Sequence, residues 1–279
     1  MGATATPPGS GVNDGIGDAV LANAVRKPLD ASRALAELAM AKVRSLRHRR
    51  RYGRVAPKPY ELLRVDPARI EYCTLPSLMA QLELSRYGSH VVSGEWDRRE
   101  KHDDVWYTRA FDPPVVASFE NHALYRSMRS HFEKGVPWDQ TEWYRWIADD
   151  DGSVGQYPNV ETMERRLSQV DELYERIRSE GYKTQRELAS DENVPLSVKS
   201  FPYPEHHEID VNIGRDGELF FNFNGRHRLA VAKLLDIDRI PVRVFARHET
   251  WQEQRSNGGT GSVDPHTRRS HPDLSVTGR

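Results

Sequence analysis

Four consecutive residues, Gly225, Arg226, His227 and Arg228, sit inside "FNFNGRHRLAVAKLL", between an alternating apolar segment and an amphipathic one. A glycine followed by cationic side chains at the start of a helix has a specific chemistry. The first amides of a helix lack intrahelical partners and carry the positive end of its dipole, so they attract anions. Glycine removes the Cβ that would hold a phosphate away from the backbone. Arginine adds donors that grip phosphate oxygens in pairs. Cations at a helix start also oppose the dipole, by about 0.3–1 kcal/mol each at an exposed end. A fold that places them there gains by binding an anion. Asn224, Gly225, Arg226, His227 and Arg228 are therefore the expected phosphate-binding set. The alternative is that these side chains bend away to Glu205, Glu208 or Asp210.

The elements that must position this set are readable from periodicity. "EIDVNIG" alternates Ile209, Val211 and Ile213 against Asp210 and Asn212, which predicts a half-buried strand. Asp216-Gly217 supplies a tight turn. Leu219, Phe221 and Phe223 then alternate on one face, Gly225 breaks the strand, and "RHRLAVAKLL" predicts about three helical turns. "DIDRIPVRVFA" gives a turn and a last strand with Ile240, Val242 and Val244 inward, and "RHETWQEQR" a capping helix with Trp251 on the core. Hairpin, helix and strand in this order make the helix a crossover.

The stretch "LFFNFNGRHRLAVAKLLDIDRIPVRV" resembles the ParB/sulfiredoxin superfamily, whose members carry a strand, a G-x-[HR]-R-x-x-A helix start and an "IPV" strand. The resemblance is specific over about Val211–Phe245 and extends loosely to "VDELYERIRSEGYK". It implies an α+β fold: a small mixed β-sheet of ParB/sulfiredoxin type with flanking helices and a helical, aromatic-rich insertion. It also implies nucleotide phosphates held by Gly225, His227 and Arg228, with Ala230 as the small packing residue. Two departures narrow the chemistry. Sulfiredoxins carry a reactive cysteine where this chain has Arg226, and partition proteins carry a glutamate there. Thiol chemistry at that position is excluded, and DNA partitioning is not expected.

A phosphotransferase or phosphohydrolase reaction would need a general base and acids able to hold magnesium near ATP or another nucleotide. Among Glu95, Asp97, Glu208 and Asp210, the residues chosen as catalytic are Asp97 and Asp210. His206, His207, His227 and His248 lack metal-ligand spacing, so no histidine metal site is expected. The other reading is a non-catalytic regulatory or nucleic-acid-binding module of the same fold. Its nucleic-acid contacts would come from Arg47, Arg49, Arg50 and Arg51, which end a predicted helix capped by Asp30, with Leu35, Leu38, Ala39 and Val43 at helical spacing. The bland account of those arginines is that they complement a helix C-terminus.

Composition bounds the rest. The 279 residues are 37% hydrophobic with a net charge of -1, which argues against wholesale adsorption to nucleic acid or acidic membranes. One cysteine, Cys73, excludes an intramolecular disulfide framework. No run of about 20 apolar residues and no secretory leader is seen, so a cytoplasmic location is expected. The expected organisation is a disordered arm over 1–18, a basic helix and linker over 19–58, and a domain over 59–256. That domain would include a helical insertion at about 95–180, and a disordered tail would follow over 257–279. "RIEYCTL" is an early strand candidate. Met163, Leu167, Val170, Leu173, Tyr174 and Ile177 stripe a long helix that Gly181 ends.

Overall fold

The alternating segments near the C-terminal end form the centre of an eight-stranded mixed sheet. The computed structural model describes residues 28–102, 113–149, 160–190, 203–257 and 271–275. The expected arm over 1–18 and most of the expected tail lie outside them. The strands are β1 (Leu62–Val65), β2 (Tyr72–Leu75), β3 (His90–Val92), β4 (Lys101–His102), β5 (Val115–Ser118), β6 (Ile209–Ile213), β7 (Leu219–Phe221) and β8 (Ile240–His248). The helices among the described residues are α1 (Pro28–Tyr52), α2 (Leu78–Gln81), α3 (Ala123–Lys134), α4 (Glu142–Asp149), α5 (Val160–Glu180), α6 (Gln185–Ala189), α7 (Arg226–Leu234), α8 (Glu249–Ser256) and α9 (Pro272–Ser275).

The sheet order is β1-β8-β6-β7-β2-β5-β4. All nine residues of β8 are buried, as expected of a strand covered on both faces. One edge of β8 takes β1 antiparallel along its first half and β3 parallel along its last residues. Its other edge takes β6 in parallel, with a bulge between Val211 and Asn212. The crossover through α7 therefore carries the chain past β6, and β8 does not pair with β7. Ile209, Val211, Ile213, Val242 and Val244 bury one face of the sheet in the main core with Leu124, Met128, Met163, Leu167 and Leu229. Phe220, Phe245, Trp96, Leu78 and Val116 form a smaller apolar cluster.

Four expectations are corrected. The segment from about 95 is not purely helical, because β5 pairs antiparallel with β2 within the sheet and β4 pairs with β5. Phe223 leaves the alternation, since β7 ends at Phe221 and the Phe223 ring is 52% exposed. On α1, Asp30 lies inside the helix, and Leu35 and Val43 point to solvent. The packed face is polar instead. Glu37 accepts from the Ser85 hydroxyl, Ala41 is buried against Gly88, and Arg44 donates to the carbonyls of Tyr87 and Ser89. A helix can dock this way because its side chains satisfy loop carbonyls that burial would otherwise leave unpaired.

The fourth correction concerns the tail. His271 and Asp273 are fully buried. Asp273 accepts from Arg247 at 2.6 and 3.0 Å and from the Trp251 indole at 2.8 Å, while its carbonyl accepts from Arg255 at 3.1 Å. The polar composition that suggested disorder conceals a short return segment whose charge is needed inside.

Candidate functional site

The turn from β7 into α7 is fixed from both sides. The Asn224 amide donates to the carbonyls of Glu208 (3.0 Å) and His206 (3.3 Å), and the Asn224 carbonyl accepts from the Asp210 amide (3.1 Å). Gly225 follows with φ 84° and ψ 24°, in the left-handed region. A Cβ there would lie 2.7 Å from Ile209 Cγ1 and 3.0 Å from Ile209 Cα. Only glycine fits, both for its φ and for the contact with β6. Gly225→Ala is expected to lower stability by about 2–5 kcal/mol, the left-handed cost plus that of overpacking. Urea unfolding reads this, and an unchanged midpoint would show the turn to be loose.

No side chain caps α7 and its first turn holds no acid. Its three cationic or titratable side chains diverge. Arg228 turns back to the His207 carbonyl, with the Glu208 carboxylate at 3.4 Å and the Tyr182 hydroxyl at 3.5 Å. For Arg228, the carboxylate alternative is thus the observed arrangement. His227 Nε2 is occluded without a partner. Burial, then Arg166, Arg226 and Arg228, push the His227 ring down to about 3. Arg226 acts electrostatically on Cys73 and on His122, whose ring accepts from the Leu124 amide at the start of α3. The starts of α3 and α7 therefore share one cationic neighbourhood. Cys73 is buried and its thiol is pushed up to about 12 by burial, so no thiolate forms beside Arg226.

Glu208 is the acid that meets this neighbourhood. It is fully buried, accepts from the Gln185 amide at the start of α6 at 2.6 Å, and faces Arg228. Burial raises its carboxyl to about 7, against the opposing pull of Arg228. A carboxyl poised there can exchange a proton at neutral pH. Glu208 was among the sequence candidates. Its contact with Arg228 was one of the carboxylate alternatives read from the sequence, whereas its complete burial had no sequence signal.

The two acids chosen as catalytic do not converge on each other: Asp210 adjoins the turn before α7 through its amide, while Asp97 lies with Arg215. Asp97 is clamped by Arg215 through the backbone amide (2.7 Å) and the guanidinium (2.8 and 3.1 Å). Burial works against its ionisation, but the Arg215 hydrogen bonds prevail and hold the carboxyl below its ordinary value. Asp210 pairs with Arg243 at 2.6 and 2.7 Å, and Arg243 also meets the His206 ring at 2.9 Å. Burial raises the Asp210 carboxyl despite Arg243. Asp210 lies near the start of β6 and Arg215 beyond its end, about 16 Å along an extended chain. Among the described residues no group of three His, Cys, Asp or Glu could hold a metal ion. Asp97 and Asp210, each held by an arginine, do not fit a shared magnesium.

Sequence reasoning also missed a buried polar row beside Asp210. Asp210 is in register with Arg243 of β8, and Asn212 donates to Asn222 at 3.2 Å. Thr74 Oγ1, Asn212 Oδ1 and Asn222 Nδ2 are occluded without partners. The arginines of α1 divide between two faces: Arg51 reaches Glu249 (2.7 Å) and Glu253 (3.2 Å) of α8, while Arg49 and Arg50 are exposed. His248 and Arg247 serve the scaffold, His248 beside the Gly94 carbonyl and Arg247 with Asp273. No helix among the described residues is long and apolar enough to cross a membrane. Compared with protein-family models, curated proteins and solved structures, the chain matches none of them.

Proposed function

We propose that this chain is a nucleotide-binding protein of ParB/sulfiredoxin type, holding a phosphate at the start of α7. The observation that carries the reading is Gly225. It stands in the left-handed region against Ile209, before a helix with no cap and no acid in its first turn. The His227 ring in that first turn lies under the charge of Arg166, Arg226 and Arg228. Phe223, two residues before the glycine, offers an exposed ring on which a base can stack. Recognition is the primary reading, because Asp97 and Asp210 are committed to arginines. If a phosphoryl transfer or hydrolysis occurs, Glu208 is its acid–base group, on the strength of its carboxyl near 7 beside Arg228.

Thermal unfolding with inorganic phosphate, AMP, ADP and ATP, each with and without magnesium, tests this. A nucleotide at a hundredfold excess over its Kd adds about 2.7 kcal/mol of stability. Phe223→Ala should reduce the nucleotide shift to that of phosphate alone, and Arg226→Gln should reduce both. No stabilisation by any nucleotide, or a shift untouched in Arg226→Gln, overturns the reading.

A further inference from the structure

The helical spacing of α1 puts Arg44, Arg47, His48 and Arg51 on one face, and that face lines a half-open cavity of about 330 Å³. Tyr52, Val91, Ser93 and Glu249 complete its wall. Three guanidinium groups against one carboxylate leave a net charge of about +2 around it. Each arginine has a different state. Arg44 is fixed by the Tyr87 and Ser89 carbonyls. Arg51 lies over the Tyr52 ring and pairs with Glu249 in the wall and with Glu253 beside it. Arg47 has no partner among the described residues and is exposed. Complementing the helix dipole accounts for cations in the last turn. It does not account for their convergence with a hydroxyl and an imidazole from the same helix.

Two polar atoms in this wall have unmet hydrogen-bonding capacity. Tyr52 is 6% exposed and its hydroxyl is occluded without a partner. His48 Nδ1 is likewise unpartnered. Burial, then Arg44, Arg247 and Arg51, lower the His48 ring to about 4, so it is neutral at physiological pH. Orphaned buried polar groups are costly in a folded chain; both atoms lie just beneath the accessible surface, so a ligand's acceptor oxygens reach them only as the side chains of the wall shift.

We propose that this cavity is a binding site for a small phosphate monoester, separate from the start of α7. A monoester dianion matches the net charge of the wall, and its oxygens suit the guanidinium forks of Arg47 and Arg51. The volume lies at the low end of small-molecule pockets. It admits a compact organic phosphate, and a nucleic-acid duplex would instead lie on the exposed Arg49 and Arg50.

Arginine-specific labelling of the full chain with phenylglyoxal, mapped residue by residue by mass spectrometry, tests the site. Inorganic phosphate or phenyl phosphate at ten times its Kd should slow modification of Arg47 and Arg51 about tenfold while Arg49 and Arg50 react as before. Arg47→Gln, which breaks no contact, should remove the protection of Arg51. Equal rates at all four arginines with either probe overturn the proposal. Protection given only by a DNA duplex, and shared by Arg49 and Arg50, overturns it in favour of a nucleic-acid surface. Because the readout is local to α1, binding at α7 cannot imitate it.

Discussion

Asp273→Ala is expected to destabilise the protein by about 3–5 kcal/mol, the cost of leaving a buried charge without its partner. Arg247 is fully buried, and removing Asp273 leaves it only the Glu61 contact at 3.1 Å. The Trp251 indole and Arg255 lose an acceptor at the same time. Burial opposes ionisation of Asp273, yet Arg247 and Arg255 hold the carboxyl well below its ordinary range, so the charge is fully present at neutral pH. Asp273→Asn keeps an acceptor for Trp251 and should fall between the two. Urea midpoints decide the matter. A loss below about 1 kcal/mol for the alanine variant would mean that the return segment is dispensable.

The second large effect is acid lability. His48, His90, His122, His206, His207, His227 and His271 all have rings lowered, in each case first by burial. The unfolded chain protonates these rings near 6.5, whereas the folded chain holds them well below that, at about 4 for His48, His207 and His271. Unfolding therefore takes up protons in this window. Stability is intact above about pH 7 and is lost as pH falls from 6.5 toward 4. Each ring contributes up to about 1.4 kcal/mol per pH unit. Glu208 works in the opposite direction, because its carboxyl near 7 binds a proton in the folded state before the unfolded state does. Asp210, whose carboxyl burial also raises, acts in the same sense, and two carboxyls against seven rings leave the sign unchanged. Unfolding midpoints at pH 7.5 and 5.5 should differ by several kcal/mol. A midpoint flat across that range would contradict the buried, neutral rings.

Legibility in the sequence followed the kind of interaction involved. From Ile209 to His248 the fold could be read because periods of two and of 3.6 residues alternate, punctuated by Gly217 and Gly225. The stripe on α5 and its end at Gly181 were legible for the same reason. The seat of α1 was not, since Glu37, Ala41 and Arg44 bind through hydrogen bonds and a close glycine contact while Leu35 and Val43 face outward. The apolar period of this helix faces outward, so it does not mark the polar face that docks. The roles of the acids were equally hidden. Asp97 meets an arginine 118 positions away and Asp210 one 33 positions away, and nothing in the neighbourhood of either residue announces that partner. For the phosphate set, local sequence located the turn correctly. It could not show that Arg228 is already engaged by Glu208, because that depends on where β6 begins relative to α7.

The placement of β8 at the heart of the sheet has a consequence for how the chain is made. Its partners β1 and β3 leave the ribosome long before it, since Leu62 pairs with Arg243 about 180 positions later. At typical elongation rates that interval is roughly 10–40 s. For that interval β1 and β3 lack the strand on which both of them pair, and β6 joins them only shortly before β8. Cooperative closure of the sheet waits for β8 and for the carboxylate of Asp273.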